Sequence, residues 1–331
     1  MTADSQDDDF VFVSLSKISP GRELPSSIFL KINGKYLKYK NEGDILDSDK
    51  FNFFMSKNVK GIYIDNSESG KFNTWVGEKK EEVIQEMVDE VGEENRDIVE
   101  KRENIAETVF ETFSDEHLST ETVELLQEQV EEFIQIVSKK KEATQVLAKI
   151  TKLSQSVAEH SVNTAQIALY LGMVCGHGHP NVLENIYLGA LFHDYAKAKI
   201  PANVLENPNN AMYSQAIQDH PKKGVDALKK IGGLQDPVLT IVLQHHEQHN
   251  GQGFPKGLKD KEIYELTKIV TIANIVDGVL CEEKNRSEET YEKAIKILEY
   301  DRGKQFDPEL IPRCTDALRL AFAGYERERE S

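Results

Sequence analysis

Eight of the nine histidines in this 331-residue chain fall between Ser154 and Asn250. Two of them begin doublets, His193-Asp194, directly after the apolar Leu188 to Phe192, and His245-His246, one residue after the apolar Ile241 to Leu243. An unpaired carboxylate at the end of a buried stretch costs roughly several kcal/mol. A bound cation removes that cost, and imidazole and carboxylate are the side chains that hold borderline transition metals. With His160 and His220 added, the set is large enough for more than one ion. Neighbouring positions on a helix differ by about 100° in direction, so a doublet reaches two ions or two sides of one. A pair of ions is a standard means of breaking a phosphate ester. The chain must therefore fold so that four separated stretches meet.

The surrounding composition limits the alternatives. The net charge of -17 disfavours nucleic acid and anionic membranes as partners, although divalent ions would invert the field locally around a phosphate. No apolar run reaches membrane-spanning length, and the acidic start of the chain is the reverse of a secretory signal, so a cytoplasmic protein without membrane insertion is expected. Cys175, Cys281 and Cys314 lack the spacing of a zinc ribbon and read as reduced thiols. His117, and His177 and His179 in a Gly-His-Gly-His-Pro turn, read as histidines without a ligand role.

The pattern divides the chain into four parts. Residues 1–9 form a polar, acidic tail expected to be disordered. Residues 10–70 read as a small α/β unit, a sensor or docking module or a structural appendage. Its signals are a β-rich Phe10 to Val13, a hairpin of Ser27 to Leu30 and Tyr36 to Tyr39 about Asn33-Gly34, a short helix at Lys50 to Lys57, and a strand at Gly61 to Asp65. Residues 71–142 read as a helical linker of two long amphipathic helices broken around Ser114 to Ser119, with Ser119 or Thr120 as the second N-cap. That linker is either a dimerising element, giving a homo-oligomer, or a layer packed on its own chain. Residues 143–331 read as helical throughout. Ile150 to Thr164, Leu188 to Lys197, Val238 to His246 and Ile269 to Leu280 are expected as helices, with ligands pointing into a bundle.

The motifs resemble a known family. His193-Asp194-Tyr-Ala-Lys197 is similar to the His-Asp-x-x-Lys signature of HD metal-dependent phosphohydrolases. His245-His246-Glu247 followed by Gly251-Gln-Gly253-Phe254-Pro255 resembles the HD-GYP signature, with phenylalanine in place of the tyrosine. Ile200-Pro201, His220-Pro221 with Gly224, Gly257-Leu258 and Phe306-Asp307-Pro308 extend the match over about Ala143 to Ala323. The resemblance implies an all-α HD-type bundle, which with the N-terminal strand pattern gives an α+β N-terminal unit followed by an all-α bundle. It implies hydrolysis of cyclic di-GMP, to linear pGpG or to GMP, with two divalent transition-metal ions, iron first and manganese or zinc as alternatives.

Carried over position by position, the resemblance gives His160, His193, Asp194, His220, His245, His246 and Asn274 as metal ligands, with Asp194 bridging. Asn274 stands where the family has Asp, and Asp277, one turn on, is the substitute ligand or a supporting carboxylate. Ser156 replaces the extra glutamate of trinuclear members, which favours two ions. Asp194 and Lys197 are the catalytic candidates, the lysine facing the phosphate or the leaving oxygen. Arg286, Gly253, Phe254 and Pro255 are the substrate-binding candidates, and Glu247 and His249 are supporting or proton-handling groups. Asn163 stands where many members have Arg, and Glu283 stands where they begin an Arg-Pro-Tyr-Arg stretch. These departures keep a second reading open: a catalytically impaired protein that retains the metal site and binds cyclic di-GMP or a GGDEF-domain diguanylate cyclase.

Overall fold

The computed structural model describes residues 9–322 apart from 58, 115–117, 141, 152 and 155. The tail expected at residues 1–9 therefore falls outside the described residues except for Asp9, and so does His117. The chain divides into two compact units, one formed by residues up to 87 and the other from residue 88 onward apart from 201–203.

The first unit holds an antiparallel sheet of β1 (Phe10–Ser14), β2 (Ile28–Ile32), β3 (Lys35–Lys40) and β4 (Gly61–Asp65), in the order β1-β4-β2-β3, with α1 (Ser48–Ser56). Asn33 and Gly34 both have positive φ, 51° and 76°, which is the turn that matches the twist of a two-residue hairpin. The core of this unit takes in Leu15, Leu24, Ile28 and Ile62, and also Phe72 and Trp75 from the start of α2 (Ser69–Val91). It therefore reaches past Gly70, where the strand pattern ends.

The second unit is helical: α3 (Arg96–Ser114), α4 (Thr120–Lys139), α5 (Ala143–Lys149), α6 (Val157–Val174), α7 (Pro180–Phe192), α8 (Ala202–Leu205), α9 (Tyr213–Ile231), α10 (Asp236–Gln244), α11 (Glu265–Glu283), α12 (Glu288–Tyr300) and α13 (Leu310–Phe322). The fold is thus a small sheet unit followed by an all-helical one, as the strand pattern and the motif resemblance together lead one to expect.

Three helix boundaries differ from the sequence expectation. The first run of the linker is two helices, α2 and α3, because Gly92 takes φ 92°, a conformation that ends a helix. The expected face from Ile150 to Thr164 is interrupted between α5 and α6, where Ser156 Oγ accepts from the Glu159 N–H at 3.2 Å and caps a new helix. Ser119 caps α4 in the same way, from Thr122 N–H at 3.2 Å. Finally, α7 stops at Phe192 and α10 at Gln244, so both ligand doublets lie just beyond helix C-termini rather than within helices. The apolar runs hide these ends, because no glycine or proline follows either of them directly.

Close packing brings the two ends together. Gly189 on α7 faces Ile241 on α10, and a Cβ there would come within 2.6 Å of the isoleucine side chain. The helices can approach only because that atom is missing.

Candidate metal centre

The end of a helix leaves carbonyls without an intrahelical partner, and here imidazoles use them. His193 Nδ1 lies 2.6 Å from the Ala190 carbonyl and His245 Nδ1 lies 2.8 Å from that of Val242, three residues back in each case. His220 achieves the same within α9. Pro221 has no N–H to give the Ile217 carbonyl, and His220 Nδ1 takes it at 2.6 Å. The His-Pro pair is thus a local device for exposing a carbonyl. In all three residues Nδ1 carries the proton and Nε2 presents a lone pair.

Those lone pairs converge on Asp194, which is almost fully buried. Its Oδ1 lies 3.2 Å from His220 Nε2 and 3.6 Å from His245 Nε2, and its Oδ2 lies 3.4 Å from His193 Nε2 and 3.8 Å from His160 Nε2. His220 and His245 bring their Nε2 atoms within 3.0 Å of each other. Two imidazole nitrogens and a carboxylate oxygen at such distances share either a proton or a metal cation. The buried His193 Nε2, His246 Nε2 and Asp194 Oδ1 have no hydrogen-bond partner. The donor set therefore fits a divalent transition metal. Among the described residues, four groups have ligand atoms within 4.8 Å of one another, and two of them, Asp194 with His220, His245 and His246, and Asp194 with His160 and His193, share Asp194.

Electrostatics favour the ligating forms. Burial pushes the His193 and His246 imidazoles down, and His245 down to about 3, so these rings are neutral across the physiological range. Burial alone would raise the Asp194 carboxyl, but it is held well below the usual carboxylate range, with the Lys197 ammonium as the permanent charge beside it. Lys197 Nζ is 3.0 Å from Asp194 Oδ2, on the turn that succeeds the doublet.

His160 is held differently. Its Nδ1 lies 2.7 Å from Asp277 Oδ2 and its Nε2 lies 2.9 Å from Asn274 Oδ1. Asn274 is thus on the face of the ring turned toward Asp194, and Asp277 is behind it. Asp277 also accepts from Ser154 Oγ at 2.9 Å, from Asn163 Nδ2 at 3.1 Å and from the Cys281 thiol at 3.4 Å. It is the carboxylate that orients a ligand histidine. Burial would lower the His160 imidazole, yet the Asp277 carboxylate raises it to about 10. With acceptors on both nitrogens, the metal-free ring carries both protons.

This protonation makes metal uptake depend on pH. Ligation at His160 must displace the Nε2 proton, so calorimetry at pH 7 in buffers of different ionisation enthalpy should find about one proton released on filling that half. Affinity there should rise about tenfold per pH unit up to pH about 10. His245 and His246, whose rings burial keeps neutral, should add no such trend to the other half. Equal proton release at both halves would contradict this assignment.

Other candidate residues surround the centre. Glu247, expected as a supporting or proton-handling group, is buried and accepts from Lys256 N–H at 2.7 Å and Leu258 N–H at 2.8 Å. It anchors the loop that comes after it. Glu247→Gln would set an amide N–H against a backbone N–H and should cost about 2 kcal/mol of stability, read by urea denaturation of the metal-free protein. The same loop needs Gly253, where a Cβ would sit 2.4 Å from the His246 carbonyl oxygen and the Gln248 nitrogen. Phe254 stacks on the His246 imidazole, with centroids 4.6 Å apart and planes at 23°. It braces a ligand ring, whatever else it touches. His249 lies apart, near Asp260 and Asp307, where Lys268 already supplies a cation 2.7 Å from Asp307. Arg286 bonds to Thr151 and, at 2.8 Å, to the Tyr291 hydroxyl. His177 and His179 join no cluster of metal-type side chains among the described residues.

Sequence reasoning passed over Ser154, Cys281 and Arg102. The arginine had a legible signal: it shares a helical stripe with Ile98, Ile105 and Val109, and it is buried with them.

Residues 125–310 match the HD domain family, more than half of the chain. The chain belongs to the HD domain family. Its ordered motifs make it an HD-GYP member, atypical in carrying Phe254 at the tyrosine position. Among curated proteins, the HD-domain segment is similar to the cyclic di-GMP phosphodiesterase response regulator RpfG of Xanthomonas campestris, 32% identical over 148 residues, 43% of this chain and 37% of that one. It is also similar to the 3'3'-cGAMP-specific phosphodiesterase 3 of Vibrio cholerae, 26% identical over 162 residues, 48% of this chain and 35% of that one. The chain thus spans little more than a third of the length of these relatives. Among solved structures, Bd1817, an HDG"Y"P protein from Bdellovibrio bacteriovorus, shares the fold with a TM-score of 0.66 at 22% identity, over 94% of this chain and 100% of that one.

Proposed function

We propose that this HD-domain protein is a two-metal phosphodiesterase acting on a cyclic dinucleotide, with cyclic di-GMP as the first candidate. The observation that carries the proposal is the pair of ligand groups that share Asp194. His193, His160 and the Asn274 carbonyl oxygen would hold one ion, His220, His245 and His246 the other, and Asp194 both. Imidazoles with one carboxylate suit iron, manganese or zinc rather than magnesium or calcium. When bound, the ions supply Lewis-acid stabilisation of the phosphate and activation of water.

The chain's own groups do the rest. Lys197, 3.0 Å from the shared carboxylate, places an ammonium where phosphate charge would develop or a leaving oxygen would need a proton. The buried imidazoles stay neutral and keep their lone pairs turned inward. The loop from Asn250 to Leu258, tied down by Glu247, flanks the His246 side of the centre and carries the backbone that a nucleotide would meet.

A second reading, binding without turnover, is favoured by two residues. Asn274 puts a neutral amide beside His160 Nε2 where a carboxylate would add charge, and Phe254 offers no hydroxyl. One experiment separates the readings. Protein purified without added metal should contain about two transition-metal ions per chain. The reduced, iron- or manganese-loaded protein is then incubated with cyclic di-GMP. Appearance of pGpG or GMP supports the enzyme, bound but intact dinucleotide supports the second reading, and a chain that retains no metal sinks both.

A further inference from the structure

Arg102 lies on α3, before residue 125, where the HD-domain match begins. A buried arginine must be surrounded by acceptors, and this one is only 4% exposed. Its Nη2 donates to Asn163 Oδ1 at 3.1 Å, its Nε donates to Gln166 Oε1 at 3.3 Å, and Nη1 pairs with Glu103. Asn163 and Gln166 are both on α6, the helix that carries His160.

A guanidinium dictates how its neighbouring amide must turn. It has donors only, so Asn163 must direct its oxygen toward α3. Its Nδ2 then faces the other way and donates to Ser154 Oγ at 2.7 Å and Asp277 Oδ1 at 3.1 Å. That leaves Asp277 Oδ2 to receive His160 Nδ1 at 2.7 Å. Every bond in the series thereby has its polarity set, from a permanent cation to the ring whose other nitrogen faces Asp194. An apolar residue at position 102 would remove the guanidinium donor from the Asn163 oxygen in a buried site. The amide could then reverse and set oxygen against the Asp277 carboxylate.

We propose that Arg102 is a positioning residue for the His160 half of the metal centre, acting through Asn163 and Asp277. The proposal rests on the two-metal reading above. In the family pattern a guanidinium is common at the position of Asn163. Here a guanidinium comes from a helix that begins before the matched segment, and Asn163 passes on its polarity. The orientation of His160 thereby depends on how α3 packs against α6.

The test uses the full chain, stripped of metal and titrated with cobalt(II), monitored by calorimetry and visible absorption. Wild type should take up two ions. Arg102→Met should weaken one of the two by about tenfold to a hundredfold, the usual effect of losing an outer partner of a ligand histidine, and leave the other unchanged. The double variant Arg102→Met with Asn163→Arg should recover the lost affinity, which a role confined to helix packing would not do. If Arg102→Met fails to fold, Arg102→Lys takes its place. It keeps the charge, loses the fork geometry, and should show the same one-sided loss. Unchanged affinity at both sites overturns the proposal, and so does an equal loss at both sites that the double variant does not restore. A wild-type chain that takes up no cobalt overturns the two-metal reading itself, and this role with it.

Discussion

Asp194→Ala should empty both halves of the centre, with metal content falling from about two ions per chain to background and hydrolysis falling with it. The expectation comes from geometry. Among the described residues Asp194 is common to both ligand groups, with Oδ1 turned to His220 and His245 and Oδ2 to His193 and His160. The other ligands each belong to one half, and loss of any one of them should spare an ion in the other. Metal analysis of Asp194→Ala beside His246→Ala gives the comparison, with circular dichroism to confirm that each variant is folded. Asp194→Asn serves as the variant of equal volume. Retention of one ion by Asp194→Ala would show that the two halves are independent sites without a shared carboxylate.

Lys197→Met should separate metal binding from chemistry. The ammonium lies beside Asp194 Oδ2 but is no ligand, so the variant should keep its metal. Loss of a charge-stabilising donor at a developing oxyanion typically lowers kcat by about 10²–10³, and that is the drop expected here, with a smaller change in KM. The measurement is steady-state hydrolysis of cyclic di-GMP by metal-loaded wild type and variant at matched metal content. If Lys197→Met loses metal in step with activity, the lysine serves to neutralise the buried carboxylate rather than the substrate.

The chemistry of the site was legible in the sequence before its geometry was. Imidazoles and a carboxylate behind apolar runs have few uses other than metal, and their order along the chain carried the resemblance to HD-GYP proteins. Helix ends were not legible. Leu188 to Phe192 runs apolar up to His193 and only Gln244 separates Leu243 from His245, so periodicity alone carries the helix through the doublets, and only the structure shows α7 and α10 stopping short. The choice between Asn274 and Asp277 was also beyond spacing. The two are one turn apart on α11, and what distinguishes them is which nitrogen of His160 each one meets. Arg102 lies 61 positions from Asn163, and no local pattern joins them. A charged residue on an otherwise apolar helical stripe was the one available sign. Gly92 was a plainer sign, since a glycine inside a helical run invites a break, and the structure puts one there.

The imidazoles of His193, His220 and His245 lean on main-chain oxygens of their own segments, which no side-chain replacement can remove. His160 leans on a carboxylate from another helix, itself steadied by three further side chains. The half that contains His160 is therefore the more compliant, since of its two imidazoles only His193 rests on the main chain. A chelator should strip such a protein in two kinetic phases, with the His160-side ion departing first and a half-loaded intermediate accumulating between them. Under metal scarcity that half-loaded species would be the resting form, and supply of the second ion would set how much of the protein can work.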